Sequence, residues 1–242
     1  MNAEEYERMY RLEDSYWWFV GRHRLVLGFL ERIYGRRQDL RILDLGCGTG
    51  AMSARMARFG SVVSADFSPL ALGFTRRRHL SRLCAADAMR LPFRAASFDL
   101  VVALDILEHL SDDQAAAREI ARVLRPGGRL VTTVPAYRAL WSGHDVALMH
   151  HRRYVARELT ERLRRASLQI ERCSYAMTLL CPAVWLYRRL FSHTDSRARA
   201  TLVHVPGWAN RLLIRLLEAE NRLIPHVSLP FGVTVFCMAR RP

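Results

Sequence analysis

The apolar positions along this chain change period again and again. Residues 40–45, "LRILDL", make a short apolar run of strand type, and Met52, Met56 and Phe59 then recur at helical spacing until Gly60 stops them. "SVVSAD" at 61–66 predicts a second strand. The helix after it opens with Ser68 as N-cap and Pro69 in the first helical position. "RLCAAD" at 82–87 and "FDLVVALD" at 98–105 predict strands three and four. A helix follows over 111–128, with Ser111 and Gln114 in a capping-box pattern and Pro126, Gly127 and Gly128 marking its end. "RLVTTVP" is the fifth strand. Strands and helices in this rhythm predict an α/β fold with a parallel sheet covered by helices on both faces.

After Pro135 the rhythm breaks. Residues 136–154 read as a loop rich in Trp, His and Tyr, 156–166 as a helix, and "LQIERCSY" as a sixth strand. Hydrophobic, Arg-studded helices occupy about 176–230 before "FGVTVFCMAR" supplies the last strand. The expected layout is an N-terminal helical cap over 1–38 and a seven-stranded domain over 39–242, interrupted by that helical insertion.

Composition adds to this. Half of the residues are hydrophobic and a quarter charged, an ordinary globular balance that argues against disorder. All 37 basic residues are arginine, so Schiff-base chemistry and a P-loop lysine are excluded. The net charge of +14 is uneven: residues 151–242 carry 16 Arg against 6 acids. An anionic partner, membrane surface or nucleic acid, would meet that part. The five cysteines form no CxxC pair and are odd in number, which supports neither a zinc knuckle nor a disulfide framework. The acidic start lacks a signal-peptide layout, and no apolar stretch is long enough to span a bilayer. A cytoplasmic protein, free to associate with a membrane surface, is the expectation.

The chemistry begins at "DLGCGTG". In an open parallel sheet a ligand sits beyond the carboxyl ends of the strands, where strand order reverses, and a glycine turn lets it approach bare backbone. The spacing is not the dinucleotide fingerprint, and Asp44 would repel a pyrophosphate while suiting a cationic ligand. Asp66 and Asp87 stand at the ends of the next two strands. With these motifs the chain resembles the class I S-adenosylmethionine (SAM) dependent methyltransferases over roughly residues 41–135.

The resemblance implies SAM as cofactor. It places Asp44, Gly46, Cys47, Gly48 and Gly50 along the methionine and ribose portions, and Asp66 on the ribose hydroxyls. Phe67, Asp87 and Ala88 would lie against adenine, and Asp105 and Ile106 near the methionine moiety and the incoming acceptor. Asp99 instead reads as an opening strand residue, and Glu108 as either acceptor-facing or part of a helix start.

Since the sulfonium methyl is already activated, orientation can supply most of the rate and no fixed triad is required. A hydroxyl acceptor would gain from a histidine base. "WSGHDVALMHHRRY" offers His144, Asp145 and His150 as catalytic candidates, with Trp141, Arg153 and Tyr154 as acceptor contacts. This element and "SYWWFVGRHR" resemble a bacterial subgroup of the family, and Tyr16, Trp17, Arg22 and His109 are further acceptor-binding candidates. Trp18 and Phe19 cannot both face the way Trp17 does, so some of these aromatics are expected in the core. His144, Asp145 and His150 are also of metal-ligand type, but no metal is expected.

Over 176–230 an apolar run ends at Tyr187, Arg188 and Arg189, and Arg211, Arg215, Glu218 and Arg222 share one helix face opposite Leu212, Leu213, Leu216, Leu217 and Leu223. A greasy acceptor channel with basic edges and a plain packing helix both fit this pattern. The expected activity is methyl transfer, with oxygen favoured, to a hydrophobic small molecule, lipid or lipid-linked sugar. A secondary metabolite such as an antibiotic precursor is the alternative acceptor, and a catalytically inactive SAM-binding scaffold is the alternative class. Nucleic acid is disfavoured, because "LDILEHL" is not the Pro-Pro element of amino-directed nucleic-acid methyltransferases.

Overall fold

A computed structural model describes residues 3–191 and 205–242. Its seven strands are β1 (Leu40–Leu45), β2 (Gly60–Asp66), β3 (Leu83–Ala85), β4 (Phe98–Leu104), β5 (Leu124–Pro135), β6 (Gln169–Ala176) and β7 (Thr234–Arg240). They form one sheet in the order β3-β2-β1-β4-β5-β7-β6. The first five strands pair in parallel, whereas β7 runs antiparallel between β5 and β6. Strand order therefore reverses between β1 and β4, and a crevice opens beyond their carboxyl ends.

Two apolar layers cover the sheet because its central strands are buried on both faces. Leu43, Leu45, Val101 and Ala103 pack on one side, joined by Ile120 and Val123 of α5 (Asp113–Val123) and Leu159 and Leu163 of α7 (Ala156–Arg165). Ile42, Leu100 and Val102 point the other way, against Val26, Phe29 and Leu30 of α2 (Trp17–Tyr34) and Met52 and Met56 of α3 (Ala51–Met56). The remaining helices are α1 (Ala3–Leu12), α4 (Pro69–Arg77), α6 (Gly143–Ala147), α8 (Cys181–Phe191) and α9 (Gly207–Leu223).

Local signals behave largely as expected. Ser68 accepts from the Ala71 N–H at the start of α4, with Pro69 inside the first turn. At α5, however, the cap is Asp112, whose carboxylate accepts from the Ala115 N–H at 2.9 Å, and not Ser111. A carboxylate at the positive end of the helix outcompetes the hydroxyl one residue earlier. The helix also ends at Val123. Pro126, Gly127 and Gly128 belong to an irregular opening of β5. The expected loop at 136–154 contains the short α6.

Helix α9 lies across α2. Gly21 makes room for it, since a Cβ there would stand 2.4 Å from the Leu217 side chain. Asn210 clasps the two helices: its carbonyl oxygen accepts the Trp17 N–H at 2.9 Å and its amide donates to the Ser15 carbonyl at 2.9 Å. Leu217 and Glu220 are the buried residues of α9, with Ile224 just past its end, whereas Leu212 and Leu223 are exposed beside Arg211, Arg215 and Arg222. The expected segregation of leucine from arginine on this helix is thus wrong. Its buried stripe is narrow, and its outer face mixes both residue types.

Candidate functional site

A cavity of about 1120 Å³ occupies the crevice beyond β1 and β4. One end is built by the turn after β1. Gly46 stands at φ +71°, and a Cβ there would meet Ile106 at 2.7 Å; Gly50 at φ +86° packs against the backbone of Thr75. Only glycine holds both positions without strain.

Around this turn the carboxylates are held in place. Asp66 accepts from the Gly48 N–H and the Ser68 N–H, both at 2.9 Å, so its two oxygens face the cavity with further lone pairs available. Asp87 accepts from the Met89 N–H at 2.8 Å. Asp44 is buried with a Ser53 hydroxyl on it, and burial pushes its carboxyl up to about 7. Cys47 and Ala88 are buried in the wall, and burial raises the Cys47 thiol, so it lines the cavity as an apolar group. Phe67 is 79% exposed at the rim, available to cover a flat ring. Helix α1 closes this end: Met9 reaches over Gly48, and Glu13 at its end bonds Thr49 and Arg78.

Asp105 begins the other half. It adopts φ +50°, uncommon for any residue but glycine, and is fixed there by the Thr133 hydroxyl at 2.8 Å and by an ion pair with Arg22. Burial pulls the Arg22 guanidinium down to about 10. Beyond it the chain makes a single turn, Leu107–His109, on which the loop after β5 docks. The His151 N–H donates to the Glu108 carbonyl at 2.8 Å, and Arg152 donates to the carbonyls of Leu110 and Ser111. This docking brings His150 against His109, their rings 4.6 Å apart and edge to face.

Each side chain then has a definable role. Asp145 is fully buried, accepting from Arg153 at 2.7 and 3.0 Å and from His150 Nδ1 at 2.9 Å. Burial alone would raise its carboxyl, but these bonds win and hold it well below the usual carboxylate range. It does not line the cavity, whereas its partners His150 and Arg153 do. Glu108 lines the cavity, is 0% exposed, and neither carboxylate oxygen has a partner. Burial pushes its carboxyl up to about 8. His144 also lines the cavity, its Nδ1 unpartnered, and burial lowers the ring to about 3. Burial and the neighbouring His150 lower His109 to about 4.

Of the expected acceptor contacts, Tyr16, Trp17, Arg22, His109 and Arg153 line the cavity, and Trp18 and Phe19 line it as well. As expected, some of these aromatics also belong to the core: Tyr16 is buried, and Trp17 and Trp18 pack against the cluster of Leu140, Met177, Leu217 and Val233. Tyr154 and Trp141 are corrections: neither reaches the cavity. Tyr154 is fully buried and donates to Asp113 at 2.6 Å, so it anchors the loop from beneath. Glu108 is the site residue that sequence reasoning left undecided.

The family model for a methyltransferase domain matches residues 43–132, which span β1 to β5. Demethylmenaquinone methyltransferase of Beutenbergia cavernae is 48% identical over 100 residues, 40% of this chain and 41% of that one. A protein of Mycolicibacterium smegmatis named a probable SAM-dependent methyltransferase is 32% identical over 165 residues, 66% of this chain and 62% of that one. The matches span about half or less of the demethylmenaquinone methyltransferases, 41% and 48% of two of them. Among solved structures, geranyl diphosphate C-methyltransferase of Streptomyces coelicolor has a TM-score of 0.60 at 17% identity, covering 89% of this chain and 79% of that one. The [4+2]-cyclase SpnF has a TM-score of 0.59 at 24% identity over 90% of this chain and 80% of its own, so the fold by itself does not name a reaction. Domain match and strand order agree: residues 43–132 carry a methyltransferase domain, and it sits in the sheet seen in these solved structures.

Proposed function

We propose that this protein transfers a methyl group from SAM to a lipophilic small molecule that carries an ionisable hydroxyl. The carrying observation is the continuity of one cavity, from Asp44 and Asp66 past Asp105 to Glu108, His109 and His150. SAM would lie along the first group, its sulfonium toward Asp105 and Ile106, and the acceptor along the second. Helices α1 and α2 form the cap, and the described parts of 176–230, residues 176–191 and 205–230, the acceptor-side insertion; residues 192–204 lie outside the described residues.

In this reading His150, oriented by Asp145, accepts the proton of the acceptor hydroxyl on Nε2. The resulting oxygen attacks the methyl carbon as the carbon–sulfur bond breaks with its electrons left on sulfur. Tyr16, Trp17, Trp18, Leu180, Val184 and Leu213 give that end an apolar wall, which supports a lipophilic acceptor. Oxygen is the favoured methyl-receiving atom. The names of the relatives, which include quinone-biosynthesis C-methyltransferases, favour a second reading in which carbon next to a phenolic oxygen is methylated. Deprotonation serves both, because a phenolate is nucleophilic at oxygen and at the ortho carbon.

No helix among the described residues is long and apolar enough to cross a membrane. Leu186 and Leu190 of α8 and Trp208 and Leu212 of α9 are nevertheless exposed near arginines, which supports docking on an anionic membrane that stores such an acceptor. The reaction is tested with methyl-labelled SAM against isoprenoid quinols, glycolipids and phenols of matched size. Label should move to a lipophilic hydroxylated compound, and mass spectrometry then distinguishes oxygen from carbon. Tight SAM binding with no transfer to any of these would favour a binding protein instead.

A further inference from the structure

We infer that Glu108, His109 and His150 form a binding site for one divalent transition-metal ion, with Zn²⁺ as the reference occupant. One ligand atom from each residue lies within 4.8 Å of the others, on the cavity wall. Bonds of about 2.1 Å in tetrahedral geometry need ligand atoms roughly 3.4 Å apart, so a small side-chain rotation closes the set.

Three independent features prepare it. Both oxygens of Glu108 are buried without a partner, a costly arrangement for a carboxylate that serves only packing. His150 gives Nδ1 to Asp145 at 2.9 Å, leaving the Nε2 lone pair for a ligand, the carboxylate–histidine arrangement that fixes metal-binding tautomers. His109 stands edge to face with the His150 ring, centroids 4.6 Å apart, on the same cavity wall. The guanidinium of Arg153 is already engaged by Asp145 and the Ala136 carbonyl, and that of Arg22 pairs with Asp105. Neither cation is bonded to Glu108.

Two imidazoles and one carboxylate select Zn²⁺, Co²⁺, Mn²⁺ or Fe²⁺ over Mg²⁺ and Ca²⁺, which prefer oxygen. Three protein ligands leave a coordination position open. With the ion bound, His150 Nε2 is a ligand and no longer the direct partner of the acceptor: the acceptor hydroxyl oxygen takes the open position, its proton passes to water, and His150 acts on the acceptor through the ion. That consequence rests on the proposed reaction, whereas binding of the ion does not.

The test uses the full-length protein, stripped with a chelator and titrated with Co²⁺ and Zn²⁺ alone in the absence of acceptor. Wild type should bind one equivalent, with Co²⁺ giving visible ligand-field absorption and excess Mg²⁺ failing to compete. Glu108→Gln and His150→Ala should each weaken binding at least about thirtyfold. Melting curves and SAM calorimetry on the same samples show that the variants are folded. No stoichiometric binding by wild type, equal binding by the folded variants, or displacement by Mg²⁺ would each overturn the site.

Discussion

The two ends of the cavity differ in how fully the protein satisfies its own polar groups. On the turn after β1, Asp66 and Asp87 accept backbone N–H groups and Asp44 a serine hydroxyl, so that end is set before any ligand arrives. Beyond β4, Glu108 and the Nδ1 of His144 are buried without partners, and Asp105 sits in a strained backbone conformation. Buried polar groups left unpaired are expensive, and a fold keeps them where a ligand completes them. On the proposed reading the first end is a donor end, a rigid cradle for one constant molecule, and the second an acceptor end, where the partner is brought by the substrate or an ion.

Substitution at the acceptor end should show the largest effect. His150→Ala is expected to lower turnover about a thousandfold, the middle of the range for a positioned proton-handling group, while SAM affinity changes by less than about twofold. Turnover within a few-fold of wild type in the folded variant would remove His150 from the chemistry. At the donor end, Asp66→Ala removes two charge-assisted hydrogen bonds to the proposed ribose, and calorimetry should read about a hundredfold loss of SAM affinity. If both variants affected SAM binding equally, the two ends would not be separate sites.

Asp44 tests the donor end more finely through pH. Its carboxyl rises from 3.8 to about 7 in the folded protein, so its contribution to stability is complete below the unfolded value and is lost as pH rises through 7. A sulfonium beside it favours the ionised form. SAM affinity should therefore climb about tenfold from pH 6 to 8, about fivefold of it below pH 7, and level off above that. Asp44→Asn should flatten the climb and, without SAM, melt higher than wild type at pH 8. A wild-type affinity that does not change between pH 5.5 and 8 would contradict the assignment.

The donor end was legible in the sequence because it is local. Gly46, Gly48 and Gly50 follow one strand, and each aspartate ends its own strand, so period and turn residues were enough. The acceptor end is assembled across the sheet. Glu108 follows β4 and His150 lies in the loop after β5, and only the pairing of those neighbouring strands brings them together. An available signal was the Glu-His pair at the end of one strand with a histidine-rich loop after the next. Tyr154 was misread for a related reason: in His-x-Arg-Arg-Tyr, adjacent residues point opposite ways, and while Arg153 faces the cavity Tyr154 faces the core. On α9, period analysis placed every leucine inward, but the sheet below is already covered by α2 and little apolar surface remains to receive them.

That outer face of α9 gives the smallest expected effect and the finest division between the two ends. Trp208 at 67% and Leu212 at 58% exposure stand beside Arg211 and Arg215, and the same helix lines the acceptor end through Leu213. A solvated face has no use for a tryptophan among arginines. An interfacial one does, since the ring enters the headgroup layer while each arginine near an anionic surface contributes about 1 kcal/mol. Arg215→Gln should therefore weaken co-sedimentation with anionic vesicles about fivefold at low salt, with neutral vesicles bound weakly by both proteins. SAM affinity, governed at the other end, should stay the same. Equal binding to neutral and anionic vesicles, or binding indifferent to salt, would detach the membrane from the acceptor end and leave the cavity to be filled from water.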